Sequence, residues 1–365
     1  SGSARVFSGL NGAVLYTFNG DGAFDAFGTS VSGAGDVNGD GYDDLIVGAP
    51  GDDNNGSASG SARVFSGLDG NILYTFNGDS ANDNFGASVS AAGDVDDDGY
   101  AEIVVGAPGD DNNGSASGSA RVFSGLSGSI LYTFNGDNAN DQFGNAVSNA
   151  GDVNGDGFDD VIVGAYPDDN NGTSSGSARV FSGLNGAILY TFNGITSEAR
   201  LGTSVSGAGD VNADGFDDVI AGGPNVVGGN TSGYAGVYSG LTGTLLWLFV
   251  GGGPDDLIGT SVSGAGGVNG DGHADLIVDH LARLVWYPSE GADGFASPIE
   301  LTKPDGSTGG APTLTQSQGL HTFFADMTGD GLLDMVRIES SRVEYWPHLG
   351  RGQFGPGVVM ENAPV

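Results

Sequence analysis

The octapeptide Gly2-Ser3-Ala4-Arg5-Val6-Phe7-Ser8-Gly9 returns unchanged from Gly60, from Gly118 and from Gly176, a spacing of 58 residues each time. A degraded copy runs from Gly233 to Gly240. Between copies the order of segments is fixed. An apolar stretch such as Ala13 to Phe18 gives way to a polar loop, a Phe-Gly pair, a Gly/Ser/Ala-rich run, an Asp-rich loop and an aliphatic burst such as Leu45-Ile46-Val47. These runs are short, are separated by turn residues and show no helical period. Each unit therefore reads as four short strands, and a repeat of this length built from four strands is the signature of a β-propeller blade.

In the first complete unit the strands are expected at residues 30–37, 44–49, 61–66 and 71–76. The small residues of the first strand suit the crowded centre of a propeller, and the aliphatic second strand suits a position covered on both faces. In an antiparallel meander the loops after the first and third strands share one face, and the other two share the opposite face. Inner strand pairs are expected six times, near residues 29–50, 87–108, 145–166, 203–224, 260–279 and 322–338, and outer hairpins seven times. The last two units diverge, with Trp286-Tyr287-Pro288 answered by Tyr345-Trp346-Pro347 and Phe295 by Phe354. The expectation is one all-β propeller over residues 1–365, with near-identical repeats in 1–240 and divergent blades in 241–365. Six inner pairs favour six blades; an inner pair lost ahead of the first hairpin would make seven.

Composition narrows the function. There are 46 acidic against 10 basic residues, a formal net charge of −36. This excludes the basic face that nucleic-acid binding needs and argues against an anionic membrane surface. The longest apolar run, 245–250, is far short of a membrane-spanning helix, so direct membrane insertion is not expected. The absence of Cys excludes disulfides, thiolate catalysis and Cys-bound zinc. Ser1 opens without a charged and apolar leader, as expected of a mature product or an excised piece of a longer secreted protein.

The chemistry lies in the loop between the first and second strands, which reads Asp-x-Asx-x-Asp-Gly-x-x-Asp/Glu. The instances are Asp36/Asn38/Asp40/Asp44, Asp94/Asp96/Asp98/Glu102, Asp152/Asn154/Asp156/Asp160, Asp210/Asn212/Asp214/Asp218 and, with Thr in the third place, Asp326/Thr328/Asp330/Asp334. Another loop has Gly267 in the first place, then Asn269, Asp271 and Asp275. Side-chain oxygens at loop positions 1, 3, 5 and 9, with a backbone carbonyl at position 7 (Tyr42, Tyr100, Phe158, Phe216, Leu332), make an oxygen cage for a hard cation. Gly at position 6 permits the sharp turn, and the all-oxygen set selects calcium. Asp, Asn and Gly are also ordinary turn residues. However, two like charges about 4 Å apart at an effective dielectric near 20 repel by about 4 kcal/mol, so three carboxylates at matching offsets call for a counter-ion. Five full calcium sites are expected, and Gly267 leaves open whether the remaining loop binds metal.

Other repeated polar residues lie on the opposite face. Asp52-Asp53, Asp110-Asp111 and Asp168-Asp169 are expected either to be solvated turns or to form a free acidic rim facing a ligand, with Asp21, Asp79 and Asp137 nearby. The repeated Arg5, Arg63, Arg121 and Arg179 are expected to pair with carboxylates inside each blade. Trp286, Tyr287, Tyr345 and Trp346 read as blade packing rather than sugar recognition. Asn55, Asn113, Asn171 and Asn230 fall in glycosylation sequons.

Phe27-Gly28 followed by Gly48-Ala49-Pro50, repeated as Phe85-Gly86 with Gly106-Ala107-Pro108 around the Asp-rich loop, resembles the FG-GAP repeat of the integrin α-subunit propeller and its bacterial relatives. The third unit keeps Phe143-Gly144 but reads Gly164-Ala165-Tyr166, and the fourth has Leu201-Gly202 and Gly222-Gly223-Pro224. The resemblance covers about residues 1–280. It implies a calcium-braced propeller used in extracellular binding, with partners on the face away from the calcium loops. The final stretch, from Asp326 through Tyr345-Trp346-Pro347 to Phe354-Gly355, is similar to the propeller in the B component of bacterial insecticidal toxin complexes, where a propeller docks on or gates a shell. The function expected is thus a calcium-stabilised, extracellular or cell-surface binding or adhesion module, of bacterial source, for a protein or glycan partner. The alternative is a docking or gating element of a toxin shell. An enzyme is not expected, because nearly every polar cluster is repeated per blade and His273, His280, His321 and His348 show no ligand or triad spacing.

Overall fold

The structure, a computed structural model, describes residues 1–8, 12–225, 232–253, 257–266, 274–279, 284–291, 294–297, 299–300, 321–325, 334–339, 342–346 and 358–359. The chain opens with a two-stranded hairpin, β1 (Ser3–Phe7) and β2 (Val14–Asn19). Four-stranded antiparallel sheets follow. The first holds β3 (Val31–Gly35), β4 (Asp44–Ala49), β5 (Ser61–Phe65) and β6 (Ile72–Asn77). The second holds β7 (Ser88–Gly93), β8 (Glu102–Ala107), β9 (Ser119–Phe123) and β10 (Ile130–Asn135). The third holds β11 (Ala146–Gly151), β12 (Asp160–Ala165), β13 (Ser177–Phe181) and β14 (Ile188–Asn193). The fourth holds β15 (Ser204–Gly209), β16 (Asp218–Gly223), β17 (Tyr234–Tyr238) and β18 (Leu245–Val250). Two more sheets are formed by β19 (Val262–Gly264), β20 (Leu276–Asp279), β21 (Leu284–Tyr287) and β22 (Ile299–Glu300), and by β23 (His321–Ala325), β24 (Asp334–Glu339), β25 (Arg342–Trp346) and β26 (Val358–Val359). Among the described residues there are thus six complete sheets and one additional hairpin. The molecule is an all-β propeller of four-stranded blades.

Within a blade the strands run in chain order from inside to outside, and β3, β7, β11, β15 and β19 lie side by side. Small side chains allow this approach, and the Ser30 and Ser88 hydroxyls each accept the N–H of a valine in the next inner strand, Val89 at 3.0 Å and Val147 at 3.1 Å. The first strand ends at Gly35, not at residue 37 as the sequence suggested. A bulge falls between Gly33 and Gly35, and the Val37 N–H goes to the Asp44 carboxylate instead of the ladder.

The core lies between blades. Ile46, Val64 and Ala34 of the first blade pack with Phe85, Val89 and Ile103 of the second. Burial of each large aliphatic residue here is worth about 1.5–3 kcal/mol. The outer strands β2, β6 and β10 each stack an aromatic ring on the third strand of the next blade: Phe18 on Phe65 at 3.9 Å, Phe76 on Phe123 at 4.0 Å and Phe134 on Phe181 at 3.9 Å between centroids. The Phe-Gly and Gly-Ala motifs meet across this joint. A Cβ on Gly48 would lie 2.0 Å from the carbonyl oxygen of Gly86, so only glycine lets the two backbones touch.

Candidate metal centre

The loop between the inner two strands is organised by its first aspartate. Asp36 accepts the N–H groups of Gly39 and Asp40 on Oδ1, at 2.8 and 3.1 Å, and that of Gly41 on Oδ2 at 2.8 Å. Asp40 in turn accepts the Tyr42 N–H at 3.0 Å, and Asn38 Oδ1 accepts that of Asp40 at 2.9 Å. The same pattern recurs around Asp152 with Gly155, Asp156 and Gly157, and around Asp210 with Asp214 and Gly215. In the second loop Asp94 receives Asp98 and Gly99, and Asp98 receives Tyr100. Phe158 and Phe216 donate likewise to Asp156 and Asp214. The sequence pointed to a special backbone only at position 6. Position 4 is left-handed as well, with φ of 71° at Gly39, 56° at Asp97, 73° at Gly155 and 59° at Ala213.

Position 9 is the first residue of the second strand, where it is drawn into the protein. Asp44, Glu102, Asp160 and Asp218 are buried. Each receives one N–H from its own loop, from Val37, Val95, Val153 and Val211 in turn. A second comes from the turn between the third and fourth strands, from Gly67, Gly125, Gly183 and Gly240. The inner and outer loops of one face are thus joined through a single carboxylate. The side chains at positions 3 and 9 also meet: the Asn154 amide lies 3.2 Å from Asp160 and the Asn212 amide 3.4 Å from Asp218. In the second loop carboxylate oxygens of Asp94, Asp96 and Glu102 all lie within 4.8 Å of one another.

Burial is the main cause raising the carboxyl pKa at this position, helped by neighbouring loop aspartates and opposed by the two N–H donors. It carries Glu102 up to about 8 and Asp160 and Asp218 up to about 7, and it raises Asp44. Asp96 is raised by burial and by Asp98 and Asp94. A cation among these oxygens would remove the penalty that now favours the proton. The donor set fits one: hard oxygens only, pre-arranged by backbone hydrogen bonds.

Gly267, Asn269, Asp271, Asp326, Thr328, Asp330 and Leu332 lie outside the described residues. Asp275 is buried and accepts the Ser289 N–H at 2.7 Å, and Asp334 opens β24 as its counterparts open their strands.

Sequence reasoning missed position 8. Asp159 accepts the Asp94 N–H of the preceding blade at 3.0 Å, and Asp217 does the same for Asp152 at 3.1 Å. The available signal was the doubled aspartate at residues 159–160 and 217–218, which a single ligand position does not need.

The opposite face corrects one expectation. Asp52, Asp110 and Asp168 are not free: all three are buried, and each accepts a serine hydroxyl, from Ser61, Ser119 and Ser177 respectively. The aspartate turns inward because an arginine stands behind it. Arg63, Arg121 and Arg179 lie 3.6, 3.3 and 3.7 Å from these carboxylates. The same three guanidinium groups pair with Asp21, Asp79 and Asp137 and lie over the Phe27, Phe85 and Phe143 rings. Only Asp53, Asp111 and Asp169 of the expected rim are exposed. Asn55, Asn113 and Asn171 donate their side-chain N–H to the carbonyls of Gly78, Gly136 and Gly194, which pins the sequon amides to the next loop. Trp286 is buried and Tyr287 packs on Phe249, so both serve packing as expected.

Three segments, residues 27–65, 85–123 and 143–181, match the FG-GAP repeat. Integrin alpha-5 of Xenopus laevis is 32% identical over 182 residues, covering 45% of this chain and 17% of that protein. Integrin alpha-V of Gallus gallus is 32% identical over 180 residues, with the same coverage, and integrin alpha-11 of Homo sapiens is 36% identical over 152 residues, covering 38% and 12%. The chain therefore spans under a fifth of the length of these relatives. Among solved structures the Dos1 propeller aligns with a TM-score of 0.49 and 13% identity, over 88% of this chain and 68% of that one.

Proposed function

We propose that this integrin-like FG-GAP propeller is a calcium-braced binding module for a protein or glycan partner in an extracellular or cell-surface setting. The observation that carries the metal reading is the convergence of Asp94, Asp96 and Glu102 within 4.8 Å, with Glu102 held by burial at a pKa of about 8. Loop positions 1, 3, 5 and 9, with the carbonyl at position 7, would hold the ion in each full loop. Its chemistry there is charge compensation, which fixes the loop against its blade. The repetition of each polar cluster from blade to blade supports binding rather than catalysis, since a catalytic centre needs a unique constellation. The integrin relatives support an adhesive role.

The test is calcium-linked melting. For five sites, each at about ten times its dissociation constant, linkage gives about 1.4 kcal/mol per site and roughly 7 kcal/mol together. The melting temperature in excess chelator is expected to lie well below that in millimolar calcium, and Asp152→Ala to lower the bound calcium by one ion without unfolding the protein. An unchanged melting temperature would sink the metal assignment.

A further inference from the structure

The Asp-rich loops of neighbouring blades are bonded to one another through the residue at loop position 8. Asp159 grips Asp94 of the preceding blade at two points: its carboxylate accepts the Asp94 N–H at 3.0 Å, and its own N–H is donated to the Asp94 carbonyl at 3.2 Å. Asp217 holds Asp152 in the same way, at 3.1 and 3.3 Å. Room for the side chain comes from the glycine that precedes the gripped aspartate. A Cβ on Gly93 would lie 1.9 Å from Asp159 Oδ2, and one on Gly151 would lie 2.1 Å from Asp217 Oδ2. Between the first and second blades only the backbone half of the contact is kept. Ala101 donates its N–H to the Asp36 carbonyl at 3.2 Å, but an alanine side chain has no acceptor for the Asp36 N–H. At the far end Ala274 takes the corresponding place, with its Cβ 2.9 Å from where a Cβ on Gly209 would lie, just ahead of Asp210.

Position 8 stands between two residues that would hold an ion in its own loop. In the third loop these are Phe158, through its carbonyl, and Asp160, while the gripped Asp94 stands at position 1 of the second loop. An ion in the third loop therefore fixes the backbone on both sides of Asp159, and Asp159 fixes the backbone of the first ligand of the second loop. The position-7 ring reaches the same way. Phe216 and Tyr100 lie against position 4 of the preceding loop, where a Cβ on Gly155 or Gly39 would come within 2.5 or 2.6 Å of the ring. Ordering one loop thus removes freedom from the loop before it, and an ion that enters a loop already ordered loses less conformational entropy.

Resting on the calcium reading above, we propose that Asp159 and Asp217 are positioning residues for the ion sites of the preceding blade, so that the second, third and fourth loops take up calcium as a linked set. Neither residue is a ligand of the ion it serves. Ala101 and Ala274 mark the two ends of the set, because neither offers the side-chain acceptor that carries the link. The coupling is reciprocal: calcium in the third loop favours calcium in the second by the same factor as the second favours the third. The set therefore fills over a narrower range of calcium concentration than independent sites of equal affinity.

Amide exchange over residues 36–42, 94–100 and 152–158 is followed in the whole protein as free calcium is raised, and the calcium at half-protection is read for each loop. Asp152→Ala, which removes a ligand of the third loop, should raise the calcium needed by the second loop about tenfold, the worth of a charge-assisted hydrogen bond. In an Asp159→Ala background the same change should no longer move the second loop, whereas Asp159→Asn, which keeps an acceptor, should preserve the response. Ala101→Asp installs the missing acceptor and serves as the test should Asp159→Ala not fold. Removing a second-loop ligand with Asp98→Ala should then shift the first loop further in that variant than with Ala101 in place. A second loop indifferent to Asp152→Ala, a shift that survives Asp159→Ala, an Asn variant that behaves as the Ala variant, or a first loop unmoved by Ala101→Asp would overturn the coupling and leave the calcium reading standing. Absence of calcium-dependent protection in every loop would overturn both.

Discussion

At the scale of single residues, the position-9 acids carry opposite consequences with and without metal. Burial holds the folded pKa of Glu102 at about 8 against an ordinary 4.5, and those of Asp160 and Asp218 at about 7 against 3.8. The folded state therefore binds more protons than the unfolded chain between those limits, so stability in chelator is full below the ordinary carboxylate values and is lost as pH rises through about 7 to 8. Calcium replaces the proton and should flatten that slope. Melting followed from about pH 5 to about pH 8 checks this, and Glu102→Gln should make the chelated slope shallower. A chelated protein that gains stability over that range would contradict the assignment. Loop position 4 gives a second prediction. Ala213 sits at φ 59°, where Gly155 sits at 73°. A left-handed alanine costs about 1–2 kcal/mol and glycine loses part of that in entropy, so Ala213→Gly should stabilise by about 0.5–1 kcal/mol. Gly155→Ala should destabilise by at least about 1–2 kcal/mol, because its Cβ would also meet the Phe216 ring at 2.5 Å. Urea midpoints measure both.

At the scale of elements, the blade joints are made by side chains that reach forward or backward by one repeat. Tyr74, Tyr132 and Tyr190 donate their hydroxyls to the carbonyls of Gly125, Gly183 and Gly240 in the next blade, each at 2.7 Å. Asp159 and Asp217 reach back the other way. Burial is the first cause raising the Asp159 pKa, with Asp94 and Asp152 adding to it. Asp159→Asn keeps an acceptor for the Asp94 N–H and removes a charge from this group, so in chelator it should be neutral or stabilising. Asp159→Ala leaves that N–H without its acceptor and should cost about 1–3 kcal/mol. Equal denaturation midpoints for the two variants would show that the hydrogen bond is not what matters at this joint. The strands themselves were legible because each unit repeats the same turn punctuation: the expected second strand coincides with β4, and the expected first strand overran only because the bulge at Gly35 cannot be told from a run of small residues.

At the scale of the whole molecule, a net charge of −36 on 365 residues makes self-repulsion a standing cost. Five calcium ions would cancel about ten of those charges, at the places where they are closest together. Raising sodium chloride from about 0.05 M to about 0.5 M shortens the screening length severalfold. It should therefore raise the melting temperature in chelator by a few degrees, and by less in saturating calcium. A chelated protein that melts lower in high salt would show that repulsion between loops does not limit its stability.

The sequence by itself determined the four-stranded unit, the placement of the Asp-rich loops on one face, and the pairing of Arg63, Arg121 and Arg179 with carboxylates. All three are written in local patterns that recur every 58 residues, and recurrence separates signal from composition. Only the tertiary structure decided which aspartates are free. Asp52 and Asp53 are neighbours in the chain, yet one is buried against Arg63 and Ser61 while the other is exposed. Asp159 was not read from the sequence at all, because the N–H it accepts comes from the preceding blade. In each case the partner comes from another strand or another blade, and a side chain's charge, burial and bonding are set by those partners rather than by the residue's own sequence context.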